Sequence, residues 1–173
     1  TVTVIVNPLP TLTSTLTPTA VCSGSTFLYT PQSSEVVTIA WSRASVIGID
    51  EGSNSGTVFI SEVLTNTTGT TIAVAYDLTV LTTGNGCSNV VTIFVDIESA
   101  PSAATTITGS DEVCAGSTGN SYTVTAIPNA TSYLWTLPNA STVSTTSNSI
   151  SIDYSLTDIS GNLSVHGVNS CGN

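Results

Sequence analysis

The stretch Thr71-Ile72-Ala73-Val74-Ala75-Tyr76-Asp77-Leu78-Thr79-Val80 decides the fold. Its large apolar residues, Ile72, Val74, Tyr76, Leu78 and Val80, fall on every second position, with small or polar residues between them. A period of two turns one face of a strand to a core and the other to solvent. The same alternation runs through Val37, Ile39 and Trp41, and through Ile93, Val95 and Ile97. Further along it returns in Tyr122 and Val124, in Tyr133, Trp135 and Leu137, in Ile150 and Ile152, and in Leu163 and Val165. No window carries a helical period, and Gly, Asn, Ser and Pro punctuate the strands every 8 to 15 residues or so, which predicts an all-β sandwich.

The chain also repeats itself. Val21-Cys22-Ser23-Gly24-Ser25-Thr26 returns as Val113-Cys114-Ala115-Gly116-Ser117-Thr118, each followed by a tryptophan, Trp41 or Trp135, and then by a Gly/Asn-rich turn holding Cys87 or Cys171. After Cys87 comes Val90-Val91-Thr92-Ile93-Phe94-Val95, whose counterpart is Thr1-Val2-Thr3-Val4-Ile5-Val6. The expected organisation is therefore the last strand of a preceding repeat at 1–6, a first repeat at 7–100, and a second at 101–173 lacking its last strand. That is a window from a longer tandem array. Asn7-Pro8-Leu9-Pro10 and Glu98-Ser99-Ala100-Pro101-Ser102 are proline-stiffened linkers, so a jointed rod is expected. Thr11 to Thr19 reads as a polar edge strand, with Pro18 keeping it at an edge.

Four cysteines allow three pairings. A module that recurs should carry its own staple, so Cys22 is expected to pair with Cys87 and Cys114 with Cys171, joining loops at one end of each sandwich. Closing a loop of about 65 residues would restrict the unfolded chain by roughly 4 kcal/mol. No Cys-x-x-Cys spacing supports a zinc site, and paired cysteines place the chain outside the reducing cytoplasm. There is no lysine, one arginine (Arg43) and eleven acidic residues, a net charge of −10. Nucleic acids and anionic membranes recruit proteins through Lys and Arg, which excludes both as partners. Lysine–asparagine isopeptide cross-links are excluded too. No apolar run reaches the roughly 20 residues that span a bilayer, and export would be encoded elsewhere in a longer precursor.

Catalysis has little to work with. His166 is the only histidine, and alternation with Leu163 and Val165 turns it outward, where no partner orients it. Asp153 and Asp158 are close in sequence, but nothing marks a cleft between them. Asp50 and Glu51, beside Gly52 and Asn54, and Asp111 and Glu112, before Cys114, are oxygen-rich loops and the calcium candidates; without an Asp-x-Asp-x-Asp-Gly pattern each pair is more simply solvated charge. Trp41 and Trp135 sit at inward alternating positions and read as core. The glycosylation sequons at Asn66, Asn129, Asn139 and Asn162 are those that chance gives in a chain so rich in Ser and Thr.

The order Cys…Trp…Cys resembles that of immunoglobulin domains. More specifically, the blocks VNPLP (6–10), VCSGSTFLYTP (21–31), WSRASVIGI (41–49), ISEVLTNTT (60–68) and GCSNVVTIFV (86–95) resemble PKD-like repeats of very long Bacteroidetes cell-surface proteins. GSDEVCAGSTGNSYTV (109–124), ATSYLWTLPNAS (130–141) and VNSCGN (168–173) resemble a neighbouring PKD-like subtype. The resemblance implies two tandem Ig-like, PKD-like sandwiches, each with one disulfide. It also implies secretion by a Gram-negative bacterium, often by the type IX route, and service at the outer membrane as stalk or adhesin of the gliding-motility style.

The leading expectation is a non-catalytic, cofactor-free repeat segment that extends and displays a distal binding region. Its partners would be neighbouring repeats of the same polypeptide and a surface glycan or protein ligand elsewhere in the parent. The alternative is a carbohydrate-binding or accessory module of a larger secreted enzyme. Tyr29, Tyr76, Tyr122 and Tyr133 mostly point inward, leaving Phe59 and Phe94 as its stacking candidates. A third reading has Thr1 to Val6 completing the second repeat of a neighbouring chain by strand addition.

Overall fold

The computed structural model describes residues 1–173, which divide into two compact units, Thr1–Glu98 and Ser99–Asn173. The first is built from β1 (Val21–Cys22), β2 (Thr26–Tyr29), β3 (Val37–Arg43), β4 (Asn54–Thr57), β5 (Ile60–Val63), β6 (Ile72–Thr82) and β7 (Ser88–Glu98). One sheet runs β1-β7-β6-β3-β4 and the other β2-β5. β6 and β7 form the longest ladder, antiparallel from Ile72↔Ile97 to Leu81↔Ser88. Their alternation does what the opening stretch requires: Val74, Tyr76, Leu78, Ile93, Val95 and Ile97 face inward with Trp41 and meet Phe27, Tyr29 and Ile60 of the smaller sheet. Each such side chain contributes about 1.5–3 kcal/mol by leaving water.

β1 pairs with β7 in parallel, Val21↔Ile97 and Cys22↔Glu98. The chain before it follows the same edge in the same direction: Asn89 Nδ2 donates to Pro10 O, and Phe94 N–H to Leu16 O. The Thr11–Thr19 segment makes only an isolated bridge, Leu12↔Ser33, rather than a regular strand. It nevertheless covers backbone groups that would otherwise be an open edge. Thr1–Val6 form no ladder, and Val2, Val4, Ile5 and Val6 are 77–90% exposed.

The second unit contains β8 (Asn120–Thr123), β9 (Ser132–Thr136), β10 (Thr142–Thr145), β11 (Ser149–Ile152) and β12 (Ser164–Val168). Its sheets are β10-β9-β12 and β11-β8. Trp135 on β9 is fully buried among Tyr122, Val124, Tyr133, Ile150, Ile152 and Val165. β9 occupies the place of β3: each carries the unit's tryptophan and lies between a short polar strand and a longer one. β12 thus corresponds to β6, but it is paired on one side only.

Neither expected disulfide forms. Cys87 and Cys114 are free thiols, whereas Cys22 and Cys171 are disulfide-bonded. The reason is strand length. Cys22 lies beside Glu98 at one end of β7, and Cys87 precedes Ser88 at the other. Eleven residues of strand separate these ends, roughly 35 Å, against the 7 Å a disulfide can bridge between Cα atoms. In the second unit Cys114 lines a cleft with Pro138 and Asn162, at the Ser164 end of β12. Cys171 follows the Val168 end, in a turn closed between Asn169 and Gly172.

Candidate functional site

The only lysine or arginine side chain of the chain, Arg43, lies inside the first unit. It continues the inward parity of Ile39 and Trp41 along β3, as Glu62 continues that of Ile60 along β5. The two close a fork across the sheets: Arg43 Nε to Glu62 Oε2 and Nη2 to Oε1, both 3.1 Å. Asn54 Nδ2 donates to Glu62 Oε1 at 2.8 Å, and Arg43 Nη2 donates to Gly52 O at 2.7 Å. Burial alone would lower the guanidinium pKa, but Glu62 outweighs it and the net shift is upward. Burial would likewise raise Glu62, yet the bonds it accepts, first from Arg43, hold it below its ordinary value. Tyr76 Oη is buried beside the pair without a well-formed hydrogen bond, and desolvation, then Glu62, drives the phenol far above its usual range. A pair so enclosed is offered to no ligand. The sequence reading did not find it, although parity along both strands was a usable signal.

Both tryptophans are tied into their units. Trp41 Nε1 donates to Phe59 O at 2.9 Å, its ring meets Tyr76 edge-on at 5.8 Å, and Gly56 lies against it. Trp135 Nε1 donates to Thr145 Oγ1 at 3.2 Å. The turn that brings the Phe59 carbonyl to Trp41 holds Val58 at φ +72°, a left-handed conformation unusual for a β-branched residue. Phe59, in the turn between β4 and β5, and Phe94, on β7, are half exposed, with no ring contact between them.

The acidic candidates scatter. Glu51 accepts from Thr65 N–H at 2.7 Å and Thr65 Oγ1 at 2.8 Å, and the backbone bond chiefly holds its carboxyl low. Neighbouring Asp50 is exposed. Asp153 accepts from Gly119 N–H, joining the segments that flank the Ile152↔Asn120 end of the β8–β11 ladder, and Asp158 accepts from Ser155 N–H, closing a turn, each at 2.7 Å. His166 meets Asn173 Nδ2 at 2.8 Å. No three His, Cys, Asp or Glu side chains converge as a metal-holding group. Asn66, a sequon residue, is buried, and its amide donates to Thr70 O and Ile97 O.

The second unit carries a cleft of about 950 Å³. Asp111, Glu112 and Asp158 line it with Tyr122 and Tyr154. The two phenols share a hydrogen bond of 3.1 Å; burial first, then this bond, pushes Tyr154 up to about 12. Its walls combine hydrogen-bonding groups and the phenol rings with apolar Ile107, Val113, Pro138, Ile159 and Leu163, and free Cys114 is among the lining residues. His166 is not among the residues that line it.

Residues 100–173 match the PKD-like domain family. The match covers all the second unit but Ser99. A PKD-like domain is a structural and adhesive module of extracellular proteins, typically non-catalytic. Disulfide-bonded Cys22 and Cys171 accord with an extracellular setting. No curated protein matches the chain.

Proposed function

We propose that this chain is a non-catalytic structural segment of a secreted bacterial cell-surface protein, a spacer that carries and displays an adhesive region. The PKD-like match over residues 100–173 carries this reading. It is supported by the use of the chain's most chemically distinctive side chains, Arg43, Glu62, Trp41 and Trp135, inside the two cores. The sequence blocks that resemble Bacteroidetes surface repeats favour a Gram-negative outer surface, type IX export and a role in adhesion or gliding. Its partners are then neighbouring repeats. The test is labelling of intact source cells with an antibody against residues 100–173, before and after protease shaving. Surface label lost on shaving is the expected result; antigen found only in the cytoplasm overturns the proposal.

The second reading, a carbohydrate-binding module, is favoured by the tyrosine- and carboxylate-lined cleft, since such groups recognise sugar hydroxyls. A glycan array probed with the chain and with a Tyr154→Ala variant decides it. Binding lost in the variant establishes the cleft as a sugar site; an array without signal removes the reading.

A further inference from the structure

The chain contains a single Asn-Gly pair, Asn85-Gly86, in the exposed turn that joins β6 to β7. The Asn85 side chain folds back over the Gly86 peptide: its Oδ1 accepts from Cys87 N–H at 3.1 Å and from the hydroxyl of buried Thr82. An N–H faces an acceptor, so the oxygen of this amide, and not its nitrogen, points to Cys87. Two donors on one carbonyl oxygen draw charge from its carbon, and they stand ready for the negative charge that an attack on that carbon puts on the oxygen. The bonds are shared within the turn, since Cys87 N–H also reaches Thr82 Oγ1 at 3.0 Å and the Thr82 hydroxyl has Cys87 O at 3.1 Å as its second acceptor. Gly86 N–H donates to no protein acceptor, and Asn85 Nδ2 is likewise unbonded. Gly86 is exposed at φ +71°, with nothing near the place of a Cβ.

A second turn of the same form supplies the contrast. Asn139 Oδ1 accepts from Ser141 N–H at 3.0 Å and Ser141 Oγ at 2.6 Å, and Ala140 holds φ +64°. There, however, the neighbouring N–H, that of Ala140, is bonded to Leu137 O at 2.9 Å. The carbonyl is polarised alike, but the nucleophile is tied.

We infer that Asn85 is a self-modification site, at which the Gly86 nitrogen attacks the Asn85 side-chain carbonyl carbon and the β6–β7 turn promotes the reaction. Gly86 N–H yields its proton to solvent hydroxide as the N–Cγ bond forms. Thr82 and Cys87 hold the oxyanion on Oδ1. As it collapses, the Cγ–Nδ2 bond breaks, and the amine takes a proton from water and leaves as ammonia. Water then opens the resulting succinimide at either carbonyl, giving aspartate, or isoaspartate with an extra methylene in the main chain. The net change is an amide and a water to a carboxylic acid and an ammonia, with no oxidation or reduction. It adds a negative charge to a chain of net charge −10, two residues from the free thiol of Cys87. The isoaspartate form also lengthens the turn beside the Leu81↔Ser88 end of the longest ladder. The extent of conversion counts the time since folding.

The experiment incubates the folded 173-residue chain at mildly alkaline pH and, in parallel, the same chain reduced and unfolded in urea. Peptide mapping by mass spectrometry follows each asparagine, and an isoaspartyl methyltransferase counts isoaspartate. Conversion at Asn85 is expected ahead of Asn139, and about tenfold faster in the folded chain than in the unfolded one, within the roughly 10²–10³ that one positioned oxyanion donor supplies in enzymes. An Asn85 that stays intact, or that converts no faster folded than unfolded, overturns the inference. Thr82→Val removes the hydroxyl and should slow the folded reaction severalfold while leaving the rate in urea unchanged; equal rates in the two folded proteins overturn the promoting role. Gly86→Ala tests the nucleophile without relying on that variant's fold. Ala140 holds the same backbone conformation in the matching turn, so the turn is kept, and the added Cβ should slow conversion severalfold. An unchanged rate in Gly86→Ala overturns attack by this nitrogen.

Discussion

Arg43 and Glu62 join the two sheets of the first unit through paired 3.1 Å contacts, with side chains 0% and 6% exposed. Removing the cation strands a carboxylate in the core. Arg43→Met is expected to cost about 3–5 kcal/mol, while the double variant Arg43→Met/Glu62→Leu recovers most of it. Urea melts of the three proteins measure both. A single-variant cost under about 1 kcal/mol would equate the pair with a surface ion pair.

The same carboxylate makes stability depend on pH. Glu62 and Glu51 are both held below the ordinary glutamate value, so the folded protein binds their protons less readily than the unfolded chain. Their stabilisation is complete above the unfolded value of about 4.3 and is lost as pH falls through the lowered folded values. Melting temperature recorded downward from pH 7 should hold until that range and then drop. Glu62→Gln should shrink the drop.

Gly56 faces Trp41 so closely that an added Cβ would sit 2.8 Å from the indole ring. Gly56→Ala is therefore expected to destabilise by about 1–3 kcal/mol through overpacking, with a changed near-ultraviolet tryptophan signal. Unchanged stability would mean that β4 can move away from the ring freely.

Val58 offers the opposite case. A β-branched residue at φ +72° carries about 1–2 kcal/mol of strain, more than the entropy glycine loses on folding. Val58→Gly should raise the melting temperature, because the side chain is 64% exposed and loses little packing. A lower melting temperature would refute the strain.

Cys87 and Cys114 are unpaired, so the Cys87→Ser/Cys114→Ser protein should melt within about 0.5 kcal/mol of wild type. Loss of two intra-module disulfides would instead cost about 2–5 kcal/mol each. Thiol titration of the unfolded wild type, without reductant, should find two reactive groups.

The strands that bury one face were legible: β6 and β7 carry a clear alternation and fill the core. β4 (Asn54–Thr57) and β10 (Thr142–Thr145) were not. Their side chains are almost all exposed, and they are held by backbone bonds to the tryptophan strands, which leave no mark on side-chain pattern. The cysteines misled for a related reason. A repeat shows that two residues recur in phase, but not which end of a strand each occupies. The Arg43–Glu62 pair required knowing which strand of one sheet faces which of the other. The local parity of each residue could signal only its burial, and the tyrosine-lined cleft gathers loops far apart in sequence, which leaves no local signature.

The placement of Arg43 has a consequence for digestion. Trypsin-like proteases cut after lysine or arginine, and this chain offers one such bond, at the C-terminal end of β3, after a side chain 2% exposed. The folded chain presents these enzymes with no accessible target. Cleavage, when it comes, reports the opening of β3 and yields, once the disulfide is reduced, only the fragments 1–43 and 44–173, so the rate of one cut reads the stability of the first unit.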